Sequence, residues 1–195
     1  MPLHVLPAPT PALRSVLAAL GSPTAVSEEH TPALRSVQGP VSPESPLPVH
    51  VLDQIVPSTS PPCTRLAGWR FMIRSQARSV AAAEVILTPD GWTFSHFFEG
   101  PYLRSTDRAL RQAESMSTPV QPRLLSIPEL YMLTLWLHGD PDADAECATP
   151  LPSDILVPLA PAPPGIAPDR PTRVADLLPV MTLRLAPEPL LGSPA

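Results

Sequence analysis

Lysine and asparagine are missing altogether from the 195 residues, so every fixed positive charge on a side chain is one of 13 arginines. That bias marks a GC-rich, bacterial coding sequence and carries no chemistry of its own. Cysteine is nearly absent. Cys63 and Cys147 are the only two, which excludes a disulfide-dense module and a four-thiolate zinc site within one chain. They are expected to be free thiols in a cytoplasmic protein. No apolar run approaches the roughly 20 residues that cross a bilayer as a helix. The longest, Leu130 to Leu137, has Thr134 inside it. No basic residues precede the first apolar ones, so a signal peptide is not expected. With 18 acidic residues and a net charge of −5, a uniformly basic protein is excluded. Catalytic signatures are missing too. There is no G-x-S-x-G, P-loop, G-x-G-x-x-G, H-E-x-x-H or C-x-x-C, so no catalytic residue is named and no enzyme is expected.

What the chain has in excess is proline, 31 residues, about three times ordinary usage. Thirteen fall in residues 1–64, five in 65–138 and thirteen in 139–195. The nine aromatics all lie between Trp69 and Trp136. Proline removes backbone donors, whereas aromatics bring the largest buried areas. Both distributions put the core in 65–138, extended by Ile155 to Leu159. The expected organisation is a proline-rich, largely disordered arm over 1–64, a compact domain over 65–182 and a tail over 183–195.

The arm contains a duplication. Thr10 to Val16 recurs unchanged as Thr31 to Val37, and Pro2-Leu3-His4-Val5-Leu6 is echoed by Pro48-Val49-His50-Val51-Leu52. In the first copy, Thr10 as N-cap, Pro11 in the first turn and Gly21 past the end punctuate a helix. Leu13, Val16, Leu17 and Leu20 would form its apolar stripe. Such a pair of helices suits docking to a protein partner.

The middle of the chain reads as strands. Trp69 to Arg74 and Val80 to Thr88 suit a sheet, Pro89-Asp90-Gly91 is a turn, and Trp92 to Phe98 returns. Alternation places Trp92, Phe94, His96 and Phe98 on one face and leaves Phe97 on the other, exposed. A helix is expected from Thr106 to about Ser115 with Ala109, Leu110 and Ala113 inward. Residues 126–138 combine helix-capping spacing at Ser126 and Glu129 with strand-forming composition, and are read as a strand. Another strand is expected over 154–159. Pro158 to Gly165 contains P-x-x-P and reads as a polyproline spacer, and a last short helix over 173–178 is expected to stop at Pro179. The fold class is α+β: a small, mostly antiparallel sheet of about five strands with one or two helices.

Charge is unevenly spread. Residues 54–138 carry eight Arg and six acids, while 139–195 carry three Arg and eight acids. No acid lies between Asp53 and Glu84, where Arg65, Arg70, Arg74 and Arg78 occur. Arg104, Arg108 and Arg111 follow on one side of the expected helix. An arginine surface of this kind fits a nucleic-acid backbone, single-stranded or distorted DNA first. The expected contacts are Arg70, Arg74, Arg78, Arg104, Arg108 and Arg111, with Phe97 as the stacking aromatic. Two alternatives accompany this reading. One is an adaptor docking through the duplicated helices. The other is a divalent-metal enzyme or sensor with Asp140, Asp142, Asp144 and Glu146 as ligands, although Ala145 and Leu151 break the EF-hand pattern. No other cofactor and no membrane is expected as a partner.

Overall fold

The computed structural model describes residues 3–26, 31–54, 62–146 and 149–185. Eight strands form one sheet: β1 (Ser42–Gln54), β2 (Cys63–Ser75), β3 (Arg78–Thr88), β4 (Gly91–Phe98), β5 (Gln121–Ile127), β6 (Met132–His138), β7 (Ile155–Pro158) and β8 (Thr172–Arg173). Their order is β4-β3-β2-β1-β5-β6-β7-β8. Only β1 and β5 run parallel, so the sheet is mixed. Five helices accompany it: α1 (Thr10–Leu20), α2 (Pro23–Val26), α3 (Pro32–Ser36), α4 (Pro101–Glu114) and α5 (Val174–Leu185). The class is α+β as expected, with a larger sheet and more helices. The topology repeats itself: a four-stranded antiparallel meander followed by a helix, twice, joined along β1 and β5.

The strand missed most completely is β1, which lies in the stretch read as an arm. It carries Pro43, Pro46 and Pro48, residues that a central strand excludes because they donate nothing to the ladder. The geometry removes the conflict. β5 pairs only with Val49 to Val51 of β1, so the three prolines sit where β1 is bonded on one side only. The register with β2 also breaks between Glu44 and Leu47, with Ser45 at φ 46°, which is where a bulge accommodates Pro46. The second sequence echo has a structural counterpart. Leu3 bridges Val120 in parallel, as Val49 pairs in parallel with Leu124.

Successive residues of β5 separate the two faces. Leu124 packs with Leu47, Val49, Leu135 and Val157 beneath Ala109, Leu110 and Ala113 of α4. Leu125 faces the other way, with Trp136, Leu156 and the α5 residues Val174, Leu177 and Met181. On that second face, Trp69, Phe71 and Phe97 lie under Ala12, Val16 and Ala19 of α1 and Leu34 of α3. Small helix residues thus meet large sheet residues. The helical stripe is rotated from expectation: Leu17 is half-exposed, and Thr10 is the first helical residue, preceded by Pro9 in the cap position. The second copy of the repeat forms only the five-residue α3.

Elsewhere, β2 to β4 occupy the expected stretches with the turn before Gly91, whereas the strand read over 126–138 is interrupted: Ile127 ends β5, a 3-10 turn spans Pro128–Leu130, and β6 begins at Met132. α4 begins at Pro101, earlier than expected, behind Gly100 at φ 121°, a backbone angle that favours glycine. α5 continues through Pro179, at the cost of the bond to the Ala175 carbonyl. Pro158 closes β7 and the Leu159 amide donates to the Leu133 carbonyl, so this part of the expected spacer belongs to the sheet. Residues 186–195, most of the expected tail, fall outside the described residues. No helix among the described residues is long and apolar enough to cross a membrane.

Candidate functional site

The six arginines do not form one surface. Arg70 is nearly buried, its Nη2 donating to Glu84 Oε2 at 2.9 Å while its guanidinium lies 4.6 Å from the Phe98 ring centroid. It holds β2 to β3 and offers little to a ligand. Arg108 Nη2 is 2.7 Å from Asp169 Oδ2. Arg74 is half-buried between Glu44 at 3.8 Å and Asp107 at 3.5 Å.

Phe97 is 1% exposed and packs on Phe94 in the core, so the expected stacking contact is overturned. The reason is a slip in register. Glu84 pairs with His96 but Val85 pairs with Phe94, leaving Ser95 as an extra residue. One extra residue puts Phe94 and Phe97 on the same face and breaks the alternation that the sequence suggested.

Three of the arginines do come together. Arg78 follows the β2–β3 turn, Arg104 and Arg111 come from α4, and all three line a cavity of about 290 Å³. They are exposed, and none of their guanidiniums makes a hydrogen bond or ion pair among the described residues. Two carboxylates share the wall and both are engaged. Asp107 accepts from Ser79 Oγ at 2.9 Å and faces Arg74, while Glu99 Oε1 accepts from the Leu34 amide at 3.0 Å. An adjoining cavity of about 480 Å³ shares Asp107 and Arg111 and adds Arg74, Glu114 and the apolar Leu3, Val5 and Leu110. Chemically, this is a set of unused guanidinium donors facing a confined space, suited to an oxyanion.

No protein-family model, curated protein or solved structure matches this chain.

The acidic loop does not assemble a chelating centre. Asp140, Asp142, Asp144 and Glu146 are all exposed. Asp140 Oδ1 accepts from the Asp142 amide, and Asp144 Oδ1 from the Glu146 amide, so these two carboxylates shape their own turns. Among the described residues, no three metal-ligating side chains converge. Cys147 lies outside the described residues, and Cys63 is exposed.

What the sequence hid is a buried polar group beneath that loop. Gln121 Nε2 donates to the carbonyls of Pro141 and Ala143, and Arg123 Nη2 to that of Asp144. Arg123 also stacks over Trp136 at 5.0 Å. Beside them Asp154 accepts from Trp136 Nε1 (2.7 Å), His138 Nδ1 (2.8 Å) and the amides of Gly139 and Leu151 (both 2.9 Å). Burial alone would raise the Asp154 carboxyl, but these four donors outweigh it and hold it below its ordinary value. His50, fully buried, is lowered from 6.5 to about 4 by burial and then by the Arg123 guanidinium, with the Ala145 backbone offsetting part of it. Gln121, Arg123, His138 and Asp154 are taken up in holding strands and loop together, and no described cavity opens onto the His138–Asp154 pair. The one available signal was the alternation of Gln121 and Arg123 ahead of Leu125 and Ile127, a strand face with polar residues at one end.

Proposed function

We propose that the protein is a non-enzymatic nucleic-acid-binding protein whose phosphate contacts are Arg78, Arg104 and Arg111, with Arg74 behind them. One observation carries this reading: three arginines from two elements line one cavity and have no ion-pair partner among the described residues. A phosphate placed among them would take charge-assisted hydrogen bonds from guanidinium donors that no carboxylate of the described residues occupies. The docking-helix alternative has less to work with, because the apolar residues of α1 and α3 are spent on Trp69, Phe71 and Phe97.

The test is fluorescence anisotropy with labelled single- and double-stranded oligonucleotides at roughly 50 and 200 mM salt. Binding that weakens steeply with salt is expected. The double variant Arg104→Gln/Arg111→Gln should weaken it and flatten the salt slope by about 0.7 per lost phosphate contact on a single strand. No binding at the lower salt, or an unchanged slope in the variant, would remove this surface from the protein's function.

A further inference from the structure

We propose that the cavity lined by Arg78, Arg104 and Arg111 receives the terminal phosphate of a nucleic-acid strand, a phosphomonoester, and not the diesters of a strand running past. This rests on the nucleic-acid reading and narrows it to strand ends.

The arrangement of donors is the first reason. Arg104 and Arg111 are seven residues apart on one side of α4, about 10 Å along its axis, and Arg78 comes from a different element to line the same space. The three line one volume from two elements instead of continuing a row. The arginines that would extend a row are engaged: Arg70 by Glu84 and Arg108 by Asp169.

Charge is the second reason. A terminal phosphate carries about −1.5 to −2 at neutral pH and three strong acceptor oxygens, against a single charge on an internal diester. Three guanidiniums with five N–H donors each gain most from the more highly charged group. Glu99 and Asp107 share the wall of that cavity, their carboxylates engaged by the Leu34 amide and by Ser79 and Arg74, so the three guanidiniums remain the donors open to the phosphate.

The adjoining cavity supplies the third. It shares Arg111 and turns apolar along Leu3, Val5 and Leu110. A nucleotide whose phosphate lies among the three arginines has its sugar and base next to that wall, where the Arg111 guanidinium offers a plane for stacking.

The experiment uses the full-length chain and three labelled thymidine decamers: unmodified, 5′-phosphorylated and 3′-phosphorylated. One phosphorylated form is expected to bind about tenfold tighter or better than the unmodified one, as charge-assisted hydrogen bonds would give. Thymidine monophosphate should compete and thymidine should not. Arg78→Gln and Arg111→Gln should each abolish the preference, whereas Arg173→Gln, on β8 at the far edge of the sheet, should keep it. Melting temperatures of the variants confirm that they remain folded. Equal affinity for all three decamers would overturn the proposal while leaving nucleic-acid binding intact. If no decamer binds, the nucleic-acid reading fails, and a thermal-shift titration with thymidine monophosphate then decides the phosphate site. Stabilisation lost in Arg111→Gln would keep the cavity as a site for a small phosphate ester. No shift would overturn it.

Discussion

Burial and the neighbouring Arg123 guanidinium keep the His50 imidazole neutral down to about pH 4, well below its ordinary 6.5. The unfolded chain takes up that proton below 6.5 and the folded chain does not, so stability falls as pH drops through this window. Between pH 7 and 4.5 the loss from His50 is about 2–3 kcal/mol at 1.36 kcal/mol per unit. Urea unfolding of the wild type and His50→Gln at pH 7, 5.5 and 4.5 should give converging stabilities as the pH falls. Parallel pH profiles would mean that His50 takes up its proton in the fold as readily as in the unfolded chain. Asp154 acts at the more acidic end. Its carboxyl is held below the ordinary value, so its contribution is complete above that value and is lost as pH falls through the lower, folded one. Replacing it strands the donors of Trp136, His138, Gly139 and Leu151 in a buried setting. Asp154→Ala should therefore cost about 3–5 kcal/mol at pH 7. A change in urea midpoint equivalent to less than about 1 kcal/mol, the size of one ordinary hydrogen bond, would show that water replaces the carboxylate.

At the scale of elements, β2 and β3 approach each other closely at Gly68, where a Cβ would overlap the carbonyl oxygen of Val85. That oxygen belongs to backbone bonded on both sides, since β3 lies between β2 and β4, and it has little freedom to retreat. Gly68→Ala should destabilise by about 1–3 kcal/mol through overpacking. An unchanged melting temperature would show that the strands part at no cost. The same elements show what the sequence could and could not reveal. β2, β3 and the place of β4 are legible because period-2 alternation and the Pro89-Asp90-Gly91 turn are local properties, whereas the extra residue at Ser95 that buries Phe97 is not. β1 is not, because its prolines are tolerated only through a partial overlap with β5, which no local pattern reports. Most of β5 carries no expectation either, because Gln121 and Arg123 are polar and their burial depends on carbonyls some twenty residues away. The arginine site divides in the same way. The helical spacing of Arg104, Arg108 and Arg111 is plain in the sequence. That Asp169 would take Arg108 and Glu84 would take Arg70 is a consequence of the tertiary fold.

For the whole molecule, the consequence is that the proline-rich N-terminal stretch is structural. Its helices cover one half of a sheet face and its strand is the member of the first meander that joins the second, so the aromatic-rich middle does not close its own core. Without α1 and α3, Trp69, Phe71 and Phe97, each now about 1% exposed, would face water as one apolar patch. Ala12, Val16, Ala19 and Leu34 would lose their burial as well. Burying Val16 and Leu34 alone is worth about 1.5–3 kcal/mol each, a large part of the 5–15 kcal/mol that separates folded from unfolded states. A chain starting at residue 41 should aggregate or melt far below the full-length protein. Val16→Asp tests the same interface without truncation and should lower the melting temperature for the same reason, by placing an unpaired charge against the aromatic face. If the shortened chain instead melts with the full-length protein, and Val16→Asp leaves the transition where it was, then α1 does not seal the core. The duplicated helices would then be free for a partner, and the docking reading of the repeat would gain the surface that this packing denies it.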